Sequence, residues 1–447
     1  MKNPLRKRYK RELRQDLGKY IAIFLFMVLS IGFISGFLVA GTSMKAAYDQ
    51  SFKKYNIEDG HFILKKKADK DLIKTLQDDE HVKLYSQPYI EEKATDDNTY
   101  RIYANRSKVN KISVLSGRMA KADDEITIDR LFAENNDIKV GDSVRLNGTS
   151  WKVCGLVAFS DYSALFEDNS DLMFDAQTFT VAAVTQGGFA AMAENLKKLD
   201  DGSTQTRSLH YNYAWKWEKQ GMSEQTRRDK SDDLLSKLVK EAFFSDNEVK
   251  DFLQEADNQA IHFSGNDLGG DKQMVIWFMY IITAILAFVF AVTTLNTIEK
   301  EATVIGTLRA SGYTRAELIR HYMTLPVIIT LIACVIGNIL GYSFFKNTVA
   351  TLYYGSYSLP TYKTLWNPEA FLLSTLGPEI IMILINFLAL YKKLKLSPLA
   401  FLRGQTAKEK KGRAVRLPNI RFLNRFRLRV ILQNKGSYLV LLVGKIG

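Results

Sequence analysis

Four long runs of apolar residues constrain this 447-residue chain more than any other feature. The first run covers residues 20–44 and the second covers 273–298, and neither carries a charge. The third covers residues 321–345, and the fourth covers 370–391 with a single carboxylate, Glu379. Each run is close to or above the roughly 20 residues that a helix needs to cross about 30 Å of hydrocarbon. The sequence therefore predicts an α-helical polytopic membrane protein.

A fifth, shorter apolar run at residues 438–447 is cut off by the end of the given sequence, and we expect it to be the start of a truncated fifth span. The stretch before it is similar to the stretch before the first span, since "RELRQDLGKYIAIFLF" from Arg11 aligns with "RVILQNKGSYLVLLVG" from Arg429. The other shared positions are Gln15 and Gln433, Gly18 and Gly436, and Tyr20 and Tyr438. This similarity predicts that the chain begins a second copy of its own unit, as many transporters do.

The distribution of charge predicts the orientation of the spans. Residues 1–19 contain eight Lys/Arg against two acidic residues, and residues 392–435 contain fourteen against one. Residues 45–272 instead hold 32 Lys/Arg and 40 Asp/Glu. Because Lys and Arg near span ends stay in the cytoplasm, we expect both basic segments inside and residues 45–272 outside. The net charge of +13 then reflects topology, and it does not indicate nucleic-acid binding. A cleaved signal peptide fits the first run loosely, but the run is longer than an ordinary signal h-region.

The large segment between the first two spans has the pattern of a mixed α/β domain. Short strand-like stretches are bounded by turn residues, and Asn147-Gly148 between two of them predicts a hairpin. Near its end, "SDDLLSKLVKEAFF" predicts an amphipathic helix, and Ser245 with Glu248 predicts the start of a second helix that contains Val249 and Phe252. This helix pair could form a stalk to the membrane or pack on the domain core.

Motifs of catalysis are missing from the sequence. There is no G-x-x-x-x-G-K-[ST] phosphate loop, and H-E-x-x-H, G-x-S-x-G and paired C-x-x-C motifs are missing as well. The five histidines are scattered without ligand spacing, and Cys154 and Cys334 fall in different regions of the predicted topology. The sequence therefore predicts neither an enzyme nor a cofactor or metal bound by this chain.

A patterned polar stretch, "EKEATVIGTLRASGYTRAEL" at residues 299–318, connects the second and third runs. Its helical pattern places Val304, Ile305 and Leu308 on one face, and we expect the acidic residues Glu299 and Glu301 to stand at the helix start, where they suit the helix dipole. The pattern predicts a short helix joined rigidly to two spans and able to receive a push. A tight solvated loop is the alternative.

The end of that helix has its own signals. Ser311-Gly312 predicts a stop, because glycine tolerates the left-handed conformation of a helix cap. Thr314 followed by Glu317 predicts the start of the next helix through a capping box.

The same stretch resembles the coupling region of the FtsX-like permeases of ABC transporters. The similarity rests on Glu301, Leu308-Arg309-Ala310, Gly312 and Arg315. Two further stretches are similar to this family: "LKLSPLAFLRG" at 394–404 resembles its motif after the fourth span, and residues 117–148 resemble its MacB-type extracytoplasmic domain. Residues 165–270 match the family pattern less clearly.

The resemblance implies four spans per unit, with a large outer α/β domain between the first two spans. It also implies a separate cytoplasmic ABC ATPase dimer, which binds ATP and contacts the loop between the second and third spans. It implies that this permease subunit lies in a bacterial cytoplasmic membrane, in contact with lipid, with a possible extracytoplasmic protein partner. The coupling residues implied are Glu299, Glu301, Leu308, Arg309, Gly312, Tyr313 and Arg315.

The division of the chain that we expect follows from these points. It comprises a basic cytoplasmic elbow (1–19), the first span (20–44), the outer domain (45–272), the second span (273–298), the coupling helix (299–320), the third span (321–345), a short outer loop (346–369), the fourth span (370–391), a cytoplasmic linker with a second elbow (392–437) and the start of a fifth span (438–447).

Several functions are compatible with this organisation. As a permease, the chain could serve efflux of antimicrobial or lipid-like compounds, lipoprotein handling, or control of cell-envelope enzymes. A membrane-anchored extracytoplasmic sensor or receptor without an ATPase fits the topology but leaves the coupling helix unexplained, and a membrane-tethered outer enzyme is a third reading.

Polar and small residues within the spans raise two further questions. Glu379 lies near the middle of the fourth span, where a carboxylate serves either a structural or a functional contact. Gly32 with Gly36, and Gly337 with Gly341, are GxxxG pairs that permit close helix approach. We favour packing within one chain over dimerisation for these pairs.

Overall fold

A computed structural model describes residues 8–94, 98–146, 148–198 and 207–403 of the chain. The expected fifth span at 438–447, the second copy of the repeat from Arg429, and the linker beyond Arg403 lie outside the described residues.

The described residues form twelve α-helices and eleven strands. In chain order the helices are α1 (Tyr9–Gln15), α2 (Leu17–Lys54), α3 (Lys70–Glu80), α4 (Arg130–Asn135), α5 (Gln186–Lys198), α6 (Glu224–Phe244), α7 (Gln259–Lys300), α8 (Ala302–Ala310), α9 (Arg315–Leu340), α10 (Lys346–Tyr354), α11 (Pro368–Leu394) and α12 (Pro398–Leu402). The strands are β1 (Gly60–Leu64), β2 (Val82–Ser86), β3 (Tyr89–Lys93), β4 (Thr99–Ala104), β5 (Ile112–Gly117), β6 (Glu125–Asp129), β7 (Ser143–Leu146), β8 (Thr149–Phe159), β9 (Phe179–Val184), β10 (Arg207–Trp217) and β11 (Val249–Gln254).

Four helical stretches are long and apolar enough to cross a membrane: α2, α7, Arg315–Tyr354 and α11. In the third stretch, α9 and α10 are joined by a π-helical turn, Gly341–Phe345. Many large apolar side chains on these helices are exposed, among them Phe26, Trp277, Phe288 and Ile380. Such exposed apolar faces suit contact with lipid tails, as the sequence predicts.

The helices are longer than the apolar runs from which the sequence predicts them. The first extends to Lys54, the second begins at Gln259, and the third begins at Arg315. The prediction of a loop over 346–369 is wrong for its first part, because residues 346–354 form α10. Val349, Ala350 and Tyr353 of α10 are buried, so this segment is held as a helix by packing.

The segment between the first two spans folds into a mixed sheet, here called the sheet domain (residues 60–254). Its strand order is β11-β1-β10-β3-β4-β9-β6-β8-β5, with β2 paired to β10 and β7 paired to β8. The predicted hairpin is confirmed, since β7 and β8 pair antiparallel on either side of residues 147–148. The apolar core of the sheet is continuous with the ends of α2, α7 and α10, through Met44, Leu268 and Val349.

The prediction of two helices at the end of this domain is wrong in its second half. Residues 249–254 form β11, which pairs antiparallel with β1, and Phe252 stacks on Trp215 at 4.8 Å between ring centroids. Ser245 does not start a helix; it caps the end of α6 through its backbone N–H. Pairing with the sheet overrides the local capping signal, so no helical stalk forms here.

The two GxxxG pairs pack against each other within the chain. A Cβ added at Gly36 would lie 2.6 Å from Phe345 Cβ, and one added at Gly341 would lie 2.7 Å from Ser35 Cβ. Gly32 and Gly337 face the same contact between α2 and α9. The structure therefore shows the intrachain arrangement, in which glycines let two spans approach closely.

A small hydrogen-bonded cluster lies beside this contact. Asn338 Oδ1 accepts from Ser35 Oγ and from Ser374 Oγ, both at 2.8 Å, so three spans share one buried amide. Glu379 of α11 has both carboxylate oxygens buried without a hydrogen-bond partner among the described residues.

Candidate functional site

The stretch between the second and third spans forms a helix, a turn and the start of another helix; we call residues 301–317 the inter-span element. On α8 the buried side is formed by Ala302, Ile305 and Gly306. A Cβ at Gly306 would lie 2.8 Å from Leu402 Cγ, so α8 packs closely on α12. The predicted apolar face is wrong in detail, because Val304 is 44% exposed and points away from this packing.

The turn after α8 has the hydrogen bonds of a Schellman motif. The Tyr313 N–H donates to Leu308 O at 3.1 Å, and the Gly312 N–H donates to Arg309 O at 3.3 Å. Gly312 has φ +101°, which is why glycine is needed at this position. The helix stop that the sequence predicts is therefore confirmed.

The next helix begins with the predicted capping box. Thr314 Oγ1 accepts from the Glu317 N–H at 3.2 Å, and Glu317 Oε2 accepts from the Thr314 N–H at 2.8 Å. These reciprocal bonds satisfy backbone donors that a helix start leaves free. Together with the Schellman turn, they fix the angle between α8 and α9 by local chemistry.

Of the two acidic residues expected at the start of α8, Glu301 lies there and Glu299 does not. Glu299 lies in the last turn of α7, because that helix continues to Lys300, and it forms an ion pair with Lys393. Glu301 stands at the N-cap position of α8 without a capping bond, and it accepts from Tyr322 Oη at 2.9 Å. Both carboxylates therefore join neighbouring segments.

Arg309 is a positioning residue. Its Nη1 donates to Leu394 O at 3.1 Å and to Leu396 O at 3.0 Å, which satisfies carbonyls at the end of α11. Partial burial and the nearby Arg315 lower the pKa of Arg309. Arg309, which the resemblance implies as a coupling residue, therefore has its guanidinium engaged within the chain.

The side of the inter-span element that faces away from α12 is exposed. Val304, Thr307, Ala310, Gly312 and Arg315 are exposed, whereas Leu308 and Tyr313 are half-buried. This surface combines an apolar side chain, small residues and one cation, and the turn and capping box hold it in a fixed shape. It can therefore accept a protein partner without rearranging.

Sequence reasoning missed Lys393, which ties Glu299 to α11, and Tyr322, which ties Glu301 to α9. One signal could have found Lys393. Glu299 and Lys393 stand at the ends of the second and fourth spans, and these ends are on the same side of the membrane if the spans alternate in direction. Opposite charges at adjacent span ends favour an ion pair.

A second cluster fixes the sheet domain to the spans; we call it the joint. It comprises Asp129 and Arg130 of the sheet domain, Asp267 and Asp271 of α7, and residues 353–358 at and after the end of α10. Arg130 Nη2 donates to Tyr354 O at 2.7 Å and to Tyr357 O at 2.9 Å, and Ser358 Oγ donates to Asp129 Oδ2. Arg130 therefore donates to carbonyls at and after the end of α10, as Arg309 does at the end of α11.

Two tyrosines complete the joint. Tyr353 Oη donates to Asp271 Oδ2 at 2.7 Å, and Tyr357 Oη donates to Asp267 Oδ2 at 2.8 Å. Both aspartates lie on α7, one helical turn apart, so α10 and α7 are held side by side where they meet the sheet domain. The joint escaped sequence reasoning because residues 346–354 were expected to be a loop.

The Asp129→Asn variant tests the electrostatics of the joint. Burial raises the pKa of Asp129 to about 6, despite hydrogen bonds that lower it. A raised carboxyl pKa favours folding below pH 4, and this contribution is lost as the pH rises through 6. The shift corresponds to at most about 3 kcal/mol. We expect thermal unfolding of the full chain between pH 4 and 7.5 to show a smaller decline in the variant, since asparagine keeps the capping oxygen and stays neutral. Identical pH profiles would contradict this assignment.

One comparison with known proteins found a match within this region. Residues 276–398 match the family model of the FtsX-like permease C-terminal domain. The match begins within α7, includes the inter-span element and ends at Pro398, the first residue of α12. A comparison with curated proteins returned no match. The chain is therefore a multi-pass membrane protein that contains an FtsX-like permease domain.

Proposed function

We propose that this chain, by virtue of its FtsX-like permease domain, is the transmembrane permease subunit of an ABC transporter. A separate cytoplasmic ATPase dimer binds the exposed side of the inter-span element. The main support for the proposal is that the family match includes both α8 and residues 394–398. These two segments are in contact, because Arg309 of α8 donates to the carbonyls of Leu394 and Leu396. ATP is bound by the ATPase, because this chain has no phosphate loop.

The contacts of the element support transmission of force. A push on α8 reaches the end of α7 directly through residues 300–302, and it reaches α9 through Tyr322 and the capping box. It also reaches the end of α11 through Arg309. Because the inter-span element is bonded to the ends of three spans, a displacement of the element moves those span ends.

The charge distribution predicts an outer location for the joint. The basic segments 1–19 and 392–435 favour a cytoplasmic location for the N-terminus and the inter-span element, and an outer location for residues 45–272. Because α7 and α10 are bonded to each other and to the sheet domain, movement of the second and third spans shifts the sheet domain. Efflux, lipoprotein handling and control of envelope enzymes all could use such a movement.

Co-purification tests the proposal. The full chain is expressed in its host from the native locus with an affinity tag, and the purified complex is assayed for ATP hydrolysis. We expect a nucleotide-hydrolysing subunit in a fixed ratio to the chain. A chain that purifies without one, under conditions where the sheet domain stays folded, favours the membrane-anchored sensor or receptor.

Labelling tests the orientation independently. Single cysteines at the exposed positions Lys74 and Ser311 are placed in a background in which Cys154 and Cys334, both buried, are replaced by serine or alanine. A membrane-impermeant thiol reagent added to intact cells is expected to label position 74 and not position 311. Equal labelling of both positions contradicts the proposed topology.

A further inference from the structure

A cleft lies beside the end of α2 that leads into the sheet domain. One face of α2 forms one wall of the cleft, and residues 360–365, which precede α11, form the other. The lining residues of α2 recur at helical spacing and are Ser43, Ala46, Ala47, Gln50 and Lys54. The volume of the cleft is about 270 Å³, slightly less than that of typical small-molecule sites. The cleft therefore suits a headgroup or a small ion.

The charged side chains among the described lining residues are two lysines, one on each wall. Lys54 and Lys363 are both exposed, and neither forms an ion pair with another described residue. A third lysine stands close by, since Lys346 Nζ donates to the neutral Thr364 Oγ1 at 2.8 Å, next to Lys363. No carboxylate is among the described residues that line the cleft. Positive charge at the cleft is therefore not balanced by the protein.

Other lysines at the neighbouring span ends do have acidic partners. Lys45, at the end of the first apolar run, forms an ion pair with Asp49. Lys272, at the start of the second run, forms an ion pair with Glu369 at 2.9 Å. The cleft differs from these positions because its cations have no anion beside them.

The position of the cleft along the spans places it at the surface of the bilayer. Ser43 stands at the end of the apolar run 20–44, and Leu365 stands just before the run 370–391. The neighbouring Trp366 is 66% exposed, and tryptophan is enriched where lipid meets water. Lys54 lies about 16 Å beyond Ser43 along α2. Its side chain leans toward the start of the helix and has a long stem, so its ammonium reaches back toward the headgroup layer.

We propose that this cleft binds the phosphate group of an anionic phospholipid, in the leaflet next to the sheet domain. The phosphate oxygens accept hydrogen bonds from Lys54 and Lys363, and these bonds are strong because donor and acceptor are both charged. Basic pockets between spans recognise lipid headgroups through the same interactions. A zwitterionic lipid is disfavoured, since no described carboxylate of the lining balances its cationic group. A free phosphate shares this chemistry, but it offers no acyl chain to the exposed Leu365.

A bound headgroup connects two parts of the chain. Ser43 Oγ accepts from the Leu365 N–H at 3.0 Å, which joins the two walls at the end of the cleft nearest the apolar runs. A phosphate held by Lys54 and Lys363 joins the walls a second time. Lipid binding therefore stabilises the contact between α2 and the segment that enters α11. This inference depends neither on an ATPase partner nor on which side of the membrane is cytoplasmic.

Lipid titration of the full chain tests the inference. The chain is stripped of lipid in detergent, and binding of three probes is measured by native mass spectrometry. The probes are dioleoyl-phosphatidylglycerol, dioleoyl-phosphatidylcholine, which has the same chains and no net charge, and sn-glycerol 3-phosphate, which has no chains. We expect phosphatidylglycerol to bind at least fivefold more tightly than either other probe and to raise the thermal unfolding midpoint. Equal affinity for the two lipids overturns the selection for negative charge, and equal affinity for glycerol phosphate overturns the assignment to a lipid.

Variants locate the binding. Lys54→Gln combined with Lys363→Gln changes only exposed side chains. We expect it to lower the affinity for phosphatidylglycerol to that for phosphatidylcholine, and to leave the unfolding midpoint of the lipid-free chain unchanged. Lys53→Gln combined with Lys139→Gln is the matched control, because it removes the same charge from exposed positions that do not line the cleft. Full binding by the cleft variant, or an equal loss of binding in the control, overturns the inference.

Discussion

Replacing Gly36 by alanine is expected to destabilise the packing of the first span against the third by about 3 kcal/mol. The added Cβ would lie 2.8 Å from the backbone nitrogen of Lys346 and 2.6 Å from Phe345 Cβ. Overpacking of a close interface costs about 1–3 kcal/mol, and the upper end applies here because backbone atoms cannot rotate away. The measurement is thermal unfolding of the detergent-solubilised chain, in which the midpoint should fall by several degrees.

Gly41 provides the matched control on the same helix. A Cβ added there meets nothing within 4 Å, so Gly41→Ala removes only the conformational freedom of glycine. The substitution should add up to about 1 kcal/mol of helix stability. The unfolding midpoint should therefore stay unchanged or rise. Equal midpoints for the two variants would show that α2 and the π-helical turn do not pack as described.

Local signals in the sequence predicted the structure well where the chemistry is completed within a few residues. The capping box of Thr314 and Glu317, the stop at Gly312 and the hairpin at residues 147–148 are of this kind. Each depends on hydrogen bonds or backbone angles that neighbouring residues determine by themselves. The four apolar helices belong with them, since length and composition are enough to identify a span.

Predictions failed where a distant partner decides the outcome. Residues 249–254 carry a helix-start signal, but β1 offers a strand to pair with, and Phe252 packs on Trp215. The sequence also gives no sign that Arg309 binds two carbonyls at and after the end of α11, because that contact joins segments 85 and 87 residues apart.

Arg309 and Arg315 are expected to affect ATPase binding in different ways. Arg315→Glu together with Val304→Asp changes only exposed side chains, and surface changes of this kind alter stability by about 0.5 kcal/mol or less. It should nevertheless reduce co-purification of the ATPase at least tenfold, because the contact would then meet a reversed charge at position 315 and would have to bury a carboxylate at position 304. Thermal unfolding of the permease should stay unchanged.

Arg309→Ala should instead lower both stability and ATPase binding. Its loss leaves Leu394 O and Leu396 O without their donor and frees the segment that α8 packs on, at a cost of about 1–3 kcal/mol. Arg309→Lys keeps one charged donor and should recover part of the stability. If the Arg315 and Val304 variant retains full ATPase binding while Arg309→Ala loses it, the partner does not contact this surface. The inter-span element would then act only as a brace between span ends.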